Sequence, residues 1–315
     1  MNNKIKIIAV IGPTASGKTG LAVEIAKKFG GEVVSADSMQ IYSELTIGTA
    51  KPTEKEMQGV PHHLVGHKSI DDEYSVVDYV DEAKKIIEEI SSRGKIPVLC
   101  GGTGLYVDSL LSNTEFSEIK SDPEVRKNLY DFAKNYGNDA LFEKLKEIDP
   151  VSASKTHANN LIRVVRALEV FEVTGKTMSE HQKDSHPVPS NYDVCYIGTT
   201  FAERDKLYQR IEKRIDEMLE EGVEEEARFL FEHNGTCTAA QAIGYKEFYP
   251  WFKGEMSRED AISVLKKETR HYAKRQLTWF RRNDKINWLF RDQFSVPEEL
   301  YKNAFRIIED FLEKK

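Results

Sequence analysis

The sequence contains little cysteine, with three residues in 315, at positions 100, 195 and 237. They are far apart and form no C-x-x-C pair, which argues against both a disulfide scaffold and a cysteine zinc site. We therefore expect reduced cysteines and a cytoplasmic protein.

Long apolar runs and an excess of one charge are also missing. The longest apolar run, residues 5–11, is interrupted by Lys6 and is far shorter than the roughly 20 residues of a membrane span. The beginning of the chain has no signal-peptide pattern, so we expect neither a leader nor a membrane partner. With 45 basic and 52 acidic side chains the net charge is −7. This excludes a uniformly basic nucleic-acid-binding coat, although a local basic surface remains compatible with it.

The first third of the chain alternates between strand-like and helix-like patterns. Short β-branched runs predict buried strands at 4–11, 32–36 and 96–100, and apolar periodicity predicts helices at 17–29 and 75–91. Strands that alternate with helices indicate a parallel sheet covered on both faces. We predict an α/β fold with a P-loop NTPase-like core.

After residue 112 the pattern becomes helical, most clearly at 160–173, and a connector rich in Pro and Ser follows at 186–193. A further strand is predicted at 193–200, and the remainder is mostly helical. A length of 315 residues suits about two domains. We predict a core made of residues 1–112 and 191–315, interrupted by a helical insertion domain at 113–190.

Residues 12–19 read GPTASGKT and match the phosphate-loop pattern G-x-x-x-x-G-K-[ST], between a predicted strand and a predicted helix. Glycines let backbone N–H groups converge on phosphate oxygens, and the helix N-terminus adds a positive dipole. The lysine neutralises phosphate charge, and the final hydroxyl can bind Mg²⁺. The motif leaves open whether the ligand is ATP, GTP or another diphosphate. The predicted phosphate site comprises Gly12, Thr14, Ala15, Ser16, Gly17, Lys18 and Thr19, with Thr19 as the Mg²⁺ ligand.

Two further segments end strands at the same predicted sheet edge, where ligands bind in open α/β sheets. Asp37 follows the second strand, and it could bind Mg²⁺, accept a proton, or simply cap a turn. Thr103 lies in the GGTG sequence after the third strand, which is either a close approach to a ligand or a tight turn. The residues alone leave both alternatives open.

A basic segment at 266–285 carries a local charge of +6, with Tyr272, Trp279 and Phe280 between its basic residues. This suits phosphate contact with stacking on unpaired RNA bases, and it equally suits a solvated helix face with aromatic residues in the core. The arginine pairs 163/166 and 210/214 could bind phosphate or neighbouring glutamates. His62 and His63 lack a metal-ligand spacing and are interpreted as structural.

Two functions compete on these residues. A P-loop kinase for a small metabolite explains the phosphate loop and Asp37 but gives the basic segment and the insertion no role. An RNA-binding protein, either non-enzymatic or an ATPase, explains the basic segment but predicts a hydrophobic run that ends in Asp-Glu, and we find no convincing one. Residue-level reasoning favours the kinase slightly.

An ordered set of motifs alters this balance. GPTASGKT, DSMQIY, GTAKP, PHHL, GGTGLY, R-x-x-R-A-L-E-V, AIGYKEF and YAKRQLTWFRR occur in this order between residue 8 and about residue 282. Together they resemble the bacterial tRNA dimethylallyltransferases. The resemblance implies transfer of a dimethylallyl group from dimethylallyl diphosphate to N6 of the adenine 3′ of the anticodon, in tRNAs that read codons beginning with U.

The resemblance also implies roles for individual residues. Asp37 would be the general base, Thr103 would border the reacting centre, and Arg214, with Arg210 less firmly, would hold diphosphate oxygens. The insertion would bind the anticodon stem-loop, and we expect a monomer. The implied tRNA contacts are Asp37, Ser38, Met39, Gln40, Thr103, Arg126, Arg163, Arg166, Gln241, Gly244, Lys246, Lys274, Arg275, Gln276, Trp279 and Arg281.

Overall fold

The computed structural model describes residues 4–112, 122–184, 190–233 and 238–314. By internal contacts the chain forms two compact units, Met1–Leu111 with Ser190–Lys315, and Ser112–Pro189. Cys237 and residues 186–189 of the predicted Pro- and Ser-rich connector lie outside the described residues. No helix among the described residues is both long and apolar enough to cross a bilayer.

The first unit contains a six-stranded sheet whose paired strands are all parallel, in the order β3-β2-β4-β1-β5-β6. The parallel sheet and the strands predicted near residues 4–11, 32–36, 96–100 and 193–200 are confirmed. The strands are β1 Ile5–Ile11, β2 Gly31–Ser35, β3 His62–His63, β4 Ile96–Gly101, β5 Tyr192–Thr200 and β6 Asn287–Phe290.

Helices make up most of the remaining described chain, with short 3₁₀ turns at Thr238–Gln241, Lys246–Phe248 and Arg291–Gln293. The helices are α1 Lys18–Phe29, α2 Glu54–Met57, α3 Val76–Ser92, α4 Gly104–Leu111, α5 Pro123–Tyr136, α6 Asn138–Ile148, α7 Pro150–Ala153, α8 Leu161–Thr174, α9 Met178–Asp184, α10 Arg204–Glu221, α11 Val223–Glu232, α12 Tyr249–Phe252, α13 Arg258–Phe280 and α14 Pro297–Glu313.

Helices cover both faces of the sheet. Successive residues of β1 point to opposite faces, and all of them from Ile7 to Ile11 are buried. Ile7 through Ile11 are at most 1% exposed. Ile8 and Val10 share an apolar cluster with α1 and α14, while α3 contacts β2 and β4. This arrangement fixes the carboxyl ends of β1, β2 and β4, where the predicted site residues begin.

The second unit is a small helical domain with its own core. Leu129, Leu141, Leu145, Val164 and Leu168 pack together from α5, α6 and α8. Helix α5 begins with Asp122 as its N-cap and a proline in the first turn, a favourable start for a helix. Apolar residues at helical spacing therefore account for this unit without any strand among its described residues.

A buried carboxylate stabilises one edge of the sheet. Glu32 of β2 is 4% exposed, and it binds Nε2 of His63 at 2.7 Å and the side-chain nitrogens of Arg93 and Lys95 at 2.8 Å each. Burial raises the pKa of this carboxyl, but the hydrogen bonds from Lys95 and His63 and the charge of Arg93 outweigh it and lower the pKa to about 2.

A depressed pKa in the folded state means that Glu32 stabilises the fold above its unfolded pKa of about 4.5, and that this contribution is lost as the pH falls toward about 2. We expect Glu32→Gln to lower the free energy of unfolding at pH 7 by a few kcal/mol and to flatten its decline in acid. Urea melts from pH 7 to pH 3 measure both effects. Glu89→Gln, an exposed change on α3, is the control, and equal acid sensitivity in wild type and Glu32→Gln would contradict the assignment.

Candidate active site

The phosphate loop forms between β1 and α1. Gly12, Ala15 and Gly17 adopt positive φ angles of 148°, 60° and 80°, which turn the chain from the strand into the helix. Nζ of Lys18 donates a hydrogen bond to the carbonyl of Pro13 at 2.6 Å. Desolvation lowers the pKa of Lys18 to about 8, which indicates a cation set among few waters. The loop therefore holds a poorly hydrated cation at a helix N-terminus, where an anion is stabilised.

Most of the predicted site residues of this unit surround one cavity of about 450 Å³, here called the central cavity. It lies over the phosphate loop and the ends of β2 and β4. The predicted residues that line it are Thr14, Ala15, Lys18, Thr19, Asp37, Ser38, Met39, Gln40, Arg214, Gln241, Gly244, Lys246, Arg275 and Gln276.

Asp37 caps a turn and also lines the central cavity, and its role as a base or metal ligand stays a prediction. Its Oδ1 accepts hydrogen bonds from the backbone N–H groups of Met39 at 3.0 Å and Gln40 at 3.4 Å. The neighbouring Ser38 donates its backbone N–H to Oγ1 of Thr103 at 3.1 Å. The turn after β2 is thus bound to the turn after β4. Oδ1 of Asp37 is held in place, whereas Oδ2 accepts no hydrogen bond from the described residues.

Gln276 of α13 ties the phosphate loop to the GGTG turn. Its Oε1 accepts from the backbone N–H of Thr14 at 2.8 Å, and its Nε2 donates to the carbonyl of Gly102 at 2.9 Å. The side chain is buried, at 5% exposure. Both ends of the amide therefore hydrogen-bond within the protein. Gln276 has a structural role in addition to its predicted contact with tRNA.

Tyr272, one helical turn before Gln276, lines the central cavity. Burial and then the charge of Asp37 raise the pKa of its phenol above the ordinary value, so it remains a neutral donor. The sequence prediction treated Tyr272 only as part of an aromatic pattern. The i, i+4 spacing from Gln276 is the signal that could have placed both side chains on one helix face.

One wall of the central cavity is apolar. Helix α10 contributes Ile211, Ile215 and Met218, and α13 contributes Leu265. Arg214 of α10 has a pKa that is lowered by desolvation, and no carboxylate of the described residues forms an ion pair with it. The central cavity therefore combines cations at the phosphate loop with an apolar wall, and this combination suits an anion that carries an apolar group.

The basic segment of α13 divides into two parts. Lys266 binds Asp216 at 2.6 Å and Arg270 binds Glu212, so these cations hold α10 against α13. The later cations, predicted to bind tRNA, are exposed: Lys274, Arg275 and, beyond the helix end, Arg281. The first part of the segment therefore packs against α10, and RNA contact by the exposed second part stays a prediction.

Trp279 stands beside the exposed part of α13. Its indole Nε1 donates to Oδ2 of Asp108 at 2.8 Å, and the guanidinium of Arg282 lies 4.1 Å from the ring centroid. Trp279 and Arg282 line, with Lys274 and Arg275, a groove of about 510 Å³, here called the α13 groove. The indole is therefore held in a fixed orientation along a basic surface.

Other predicted residues lie away from the central cavity. Ser16, within the phosphate loop, is fully buried, its backbone carbonyl accepts a hydrogen bond from Oγ1 of Thr199 at 3.2 Å, and it does not line the central cavity. In the second unit Arg126 and Arg166 each bind the fully buried Glu169 at 2.9 Å. Arg163 is exposed on α8.

The predicted Mg²⁺ site is chemically consistent with its surroundings. Thr19 and Asp37 both line the central cavity and offer oxygen ligands, which Mg²⁺ prefers. Within the described ranges no group of three or more His, Cys, Asp or Glu residues could hold a metal ion. A Mg²⁺ ion here would take its other ligands from water and substrate phosphates, as is usual for this ion.

Comparisons with known proteins show which family the chain resembles. A family model described as IPP transferase matches residues 40–283. A tRNA dimethylallyltransferase from Acetivibrio thermocellus is 48% identical over 94% of this chain and 95% of its own length.

Solved structures give the same picture. A tRNA isopentenylpyrophosphate transferase from Bacillus halodurans has a TM-score of 0.73 at 42% identity, covering 98% of this chain and 99% of its own. A eukaryotic dimethylallyltransferase acting on tRNA has a TM-score of 0.81 at 32% identity, covering 99% of this chain and 80% of its own.

Proposed function

The chain belongs to the IPP transferase family, and on this premise we propose that it is a tRNA dimethylallyltransferase. It transfers the dimethylallyl group of dimethylallyl diphosphate to N6 of the adenine 3′ of the anticodon, in tRNAs that read codons beginning with U. The observation that carries the proposal is the central cavity, which joins a phosphate loop, an apolar wall and the carboxylate of Asp37.

The diphosphate binds at the start of α1. Lys18, Thr19 and Arg214 face the same cavity and supply two cations and a hydroxyl. Charge that develops on the leaving diphosphate is stabilised by these groups, and such prearranged electrostatics is usually the largest part of catalysis. Mg²⁺, held through Thr19 and phosphate oxygens, would supply further charge neutralisation when bound.

The hydrocarbon tail lies against Ile211, Ile215 and Met218. A dimethylallyl group buried there loses unfavourable contact with water. A hydroxylated acceptor of a kinase placed against the same wall would leave polar groups without partners, at a cost of about 1 to 3 kcal/mol each. The apolar wall therefore favours prenyl transfer over the competing kinase function.

The reaction breaks the bond between the allylic carbon and the diphosphate oxygen, and the electron pair leaves with the oxygen. The lone pair of adenine N6 forms the new carbon–nitrogen bond, and one N6 proton passes to Asp37. Because Oδ1 holds the turn, Oδ2 is the oxygen that accepts the proton. The adenine must leave the base stack to reach this site, which costs a few kcal/mol.

Lys274 and Arg275 contribute phosphate contacts to tRNA binding. Changing both to glutamine should weaken tRNA binding and lower the slope of log Kd against log salt by about 2, since each cation releases about one counterion. Filter-binding titrations at several salt concentrations measure the slope. The matched control is Lys302→Gln with Arg306→Gln, two exposed cations of α14, and an unchanged slope in the Lys274 and Arg275 variant would place the tRNA elsewhere.

Mapping the product tests the full proposal. The protein is incubated with undermodified tRNA and labelled dimethylallyl diphosphate, and the tRNA is digested to nucleosides. The label should appear on adenosine, and sequencing should place it beside the anticodon in tRNAs that read U-initial codons. A label on another nucleoside or position would overturn the finer assignment. The monomeric state and the cytoplasmic location stay predictions.

A further inference from the structure

A second cavity of about 750 Å³, here called the arginine cavity, adjoins the phosphate loop. It shares Ala15, Thr19, Arg214 and Met218 with the central cavity, so the two meet at the start of α1. Its additional cations are Arg210, Lys213 and Arg291, together with Lys51. The cationic environment of the phosphate loop therefore continues beyond the residues assigned so far.

Arg291 lies directly against the phosphate loop. Its guanidinium packs on Gly17 so closely that a Cβ at position 17 would overlap it, and Gly17 has a φ of 80° that disfavours any larger residue. Arg291 lies outside residues 40–283, which the family model covers, and no sequence motif singled it out.

The segment that carries Arg291 is held in place. Asp292, the next residue, accepts hydrogen bonds from the backbone N–H groups of Ala202 at 2.8 Å and Glu203 at 3.0 Å, at the start of α10. Arg291 also opens a 3₁₀ turn directly after β6. The backbone is thus fixed on both the sheet and α10, the helix that carries Arg210 and Arg214.

Arg210 and Arg291 have no ion-pair partner among the described residues, unlike Lys213 of the same cavity, which pairs with Glu217. Burial and the nearby charge of Arg210 lower the pKa of Arg291, and no carboxylate in the described part of the chain forms an ion pair with either arginine. Three carboxylates also line the cavity: Glu56, which forms the capping box of α2, Glu217, which pairs with Lys213 at 3.7 Å, and the exposed Glu221. Neighbouring cations repel each other, more strongly where one is partly buried, as Arg291 is, and an anion between them offsets this repulsion.

We propose that Arg291, together with Arg210, binds the terminal phosphate of the diphosphate. This rests on the proposed function, because it takes the anion at the start of α1 to be the substrate diphosphate. A diphosphate there lies beside Thr19 and Arg214, which border both cavities, so its terminal phosphate extends into the arginine cavity. A guanidinium binds phosphate oxygens through two parallel N–H groups, which fixes both position and charge.

Inorganic diphosphate is the probe that tests this site without prenyl transfer. Arg291→Gln removes the charge and keeps most of the side-chain length, and we expect its Kd for diphosphate to rise about 10- to 100-fold by calorimetric titration. Arg291→Lys should recover part of the affinity, because it restores the charge without the planar pair of donors. The affinity for tRNA should not change, and neither should the Kd for diphosphate in Arg306→Gln.

The outcomes separate this site from the proposed function. A diphosphate Kd in Arg291→Gln equal to that of wild type overturns the site, even if the protein transfers prenyl groups. A raised Kd supports the site, even if no prenyl transfer is found. If Arg291→Gln does not fold, Arg210→Gln provides the second test, with the same expected loss and the same contradicting result.

Discussion

Replacing Asp37 with asparagine should lower the rate of prenyl transfer by about 10²- to 10⁴-fold, the usual contribution of a general base, and should leave tRNA affinity unchanged. The amide oxygen of asparagine can still accept the hydrogen bonds from Met39 and Gln40, so the turn after β2 is retained. What is lost is the ability to take the N6 proton. Single-turnover transfer with saturating tRNA and dimethylallyl diphosphate measures the chemical step.

Asp72→Asn is the matched control, because Oδ2 of Asp72 also accepts a backbone N–H, from Ser69 at 2.8 Å, in an exposed loop. It should transfer at the wild-type rate. Full turnover in Asp37→Asn would contradict the general-base role. Equal loss of tRNA binding and transfer would show that Asp37 serves binding instead.

Replacing Glu226 with alanine should destabilise the protein by about 2 to 3 kcal/mol and raise the KM for dimethylallyl diphosphate. The carboxylate of Glu226 accepts from the backbone N–H groups of Thr46 at 2.7 Å, Ile47 at 3.1 Å and Gly48 at 2.9 Å, and from the hydroxyl of Tyr245 at 2.6 Å. Burial raises its pKa, but these hydrogen bonds outweigh it, so the pKa is lowered overall.

The effect on KM follows from the position of this loop. Its next residues, Thr49 and Ala50, line the central cavity, so a loop without its anchor changes the shape of the site. Glu225→Ala, an exposed change on the same helix, is the control for helix propensity and charge. Thermal melts and initial rates test both effects, and equal behaviour of the two variants would rule out the anchoring role.

The parts of the fold that depend on local sequence could be predicted. The helix predicted at 75–91 is found at Val76–Ser92, and the one predicted at 160–173 is found at Leu161–Thr174, because apolar spacing and caps are local signals. The sequence does not predict strand β6, because its four residues are too few to show the alternation of apolar and polar residues that identifies a strand. His62 and His63, interpreted as structural, form the short strand β3.

The site could be predicted only in part, because several of its contacts join distant residues. The phosphate loop and Asp37 follow strands, and this made them visible in the sequence. Tyr272 reaches the central cavity from a helix far along the chain, and Arg291 reaches Gly17 from the segment after β6. The involvement of Gln276 with Thr14 likewise depends on tertiary packing, which no spacing in the sequence reveals.

The most direct test of the account is a comparison of two donors in one assay. Labelled dimethylallyl diphosphate and γ-labelled ATP are supplied in parallel, with undermodified tRNA as the acceptor. The account predicts that label from dimethylallyl diphosphate appears in tRNA and that no phosphate is transferred from ATP. Transfer of phosphate from ATP to a small acceptor, with no label in tRNA, would contradict it and restore the kinase function.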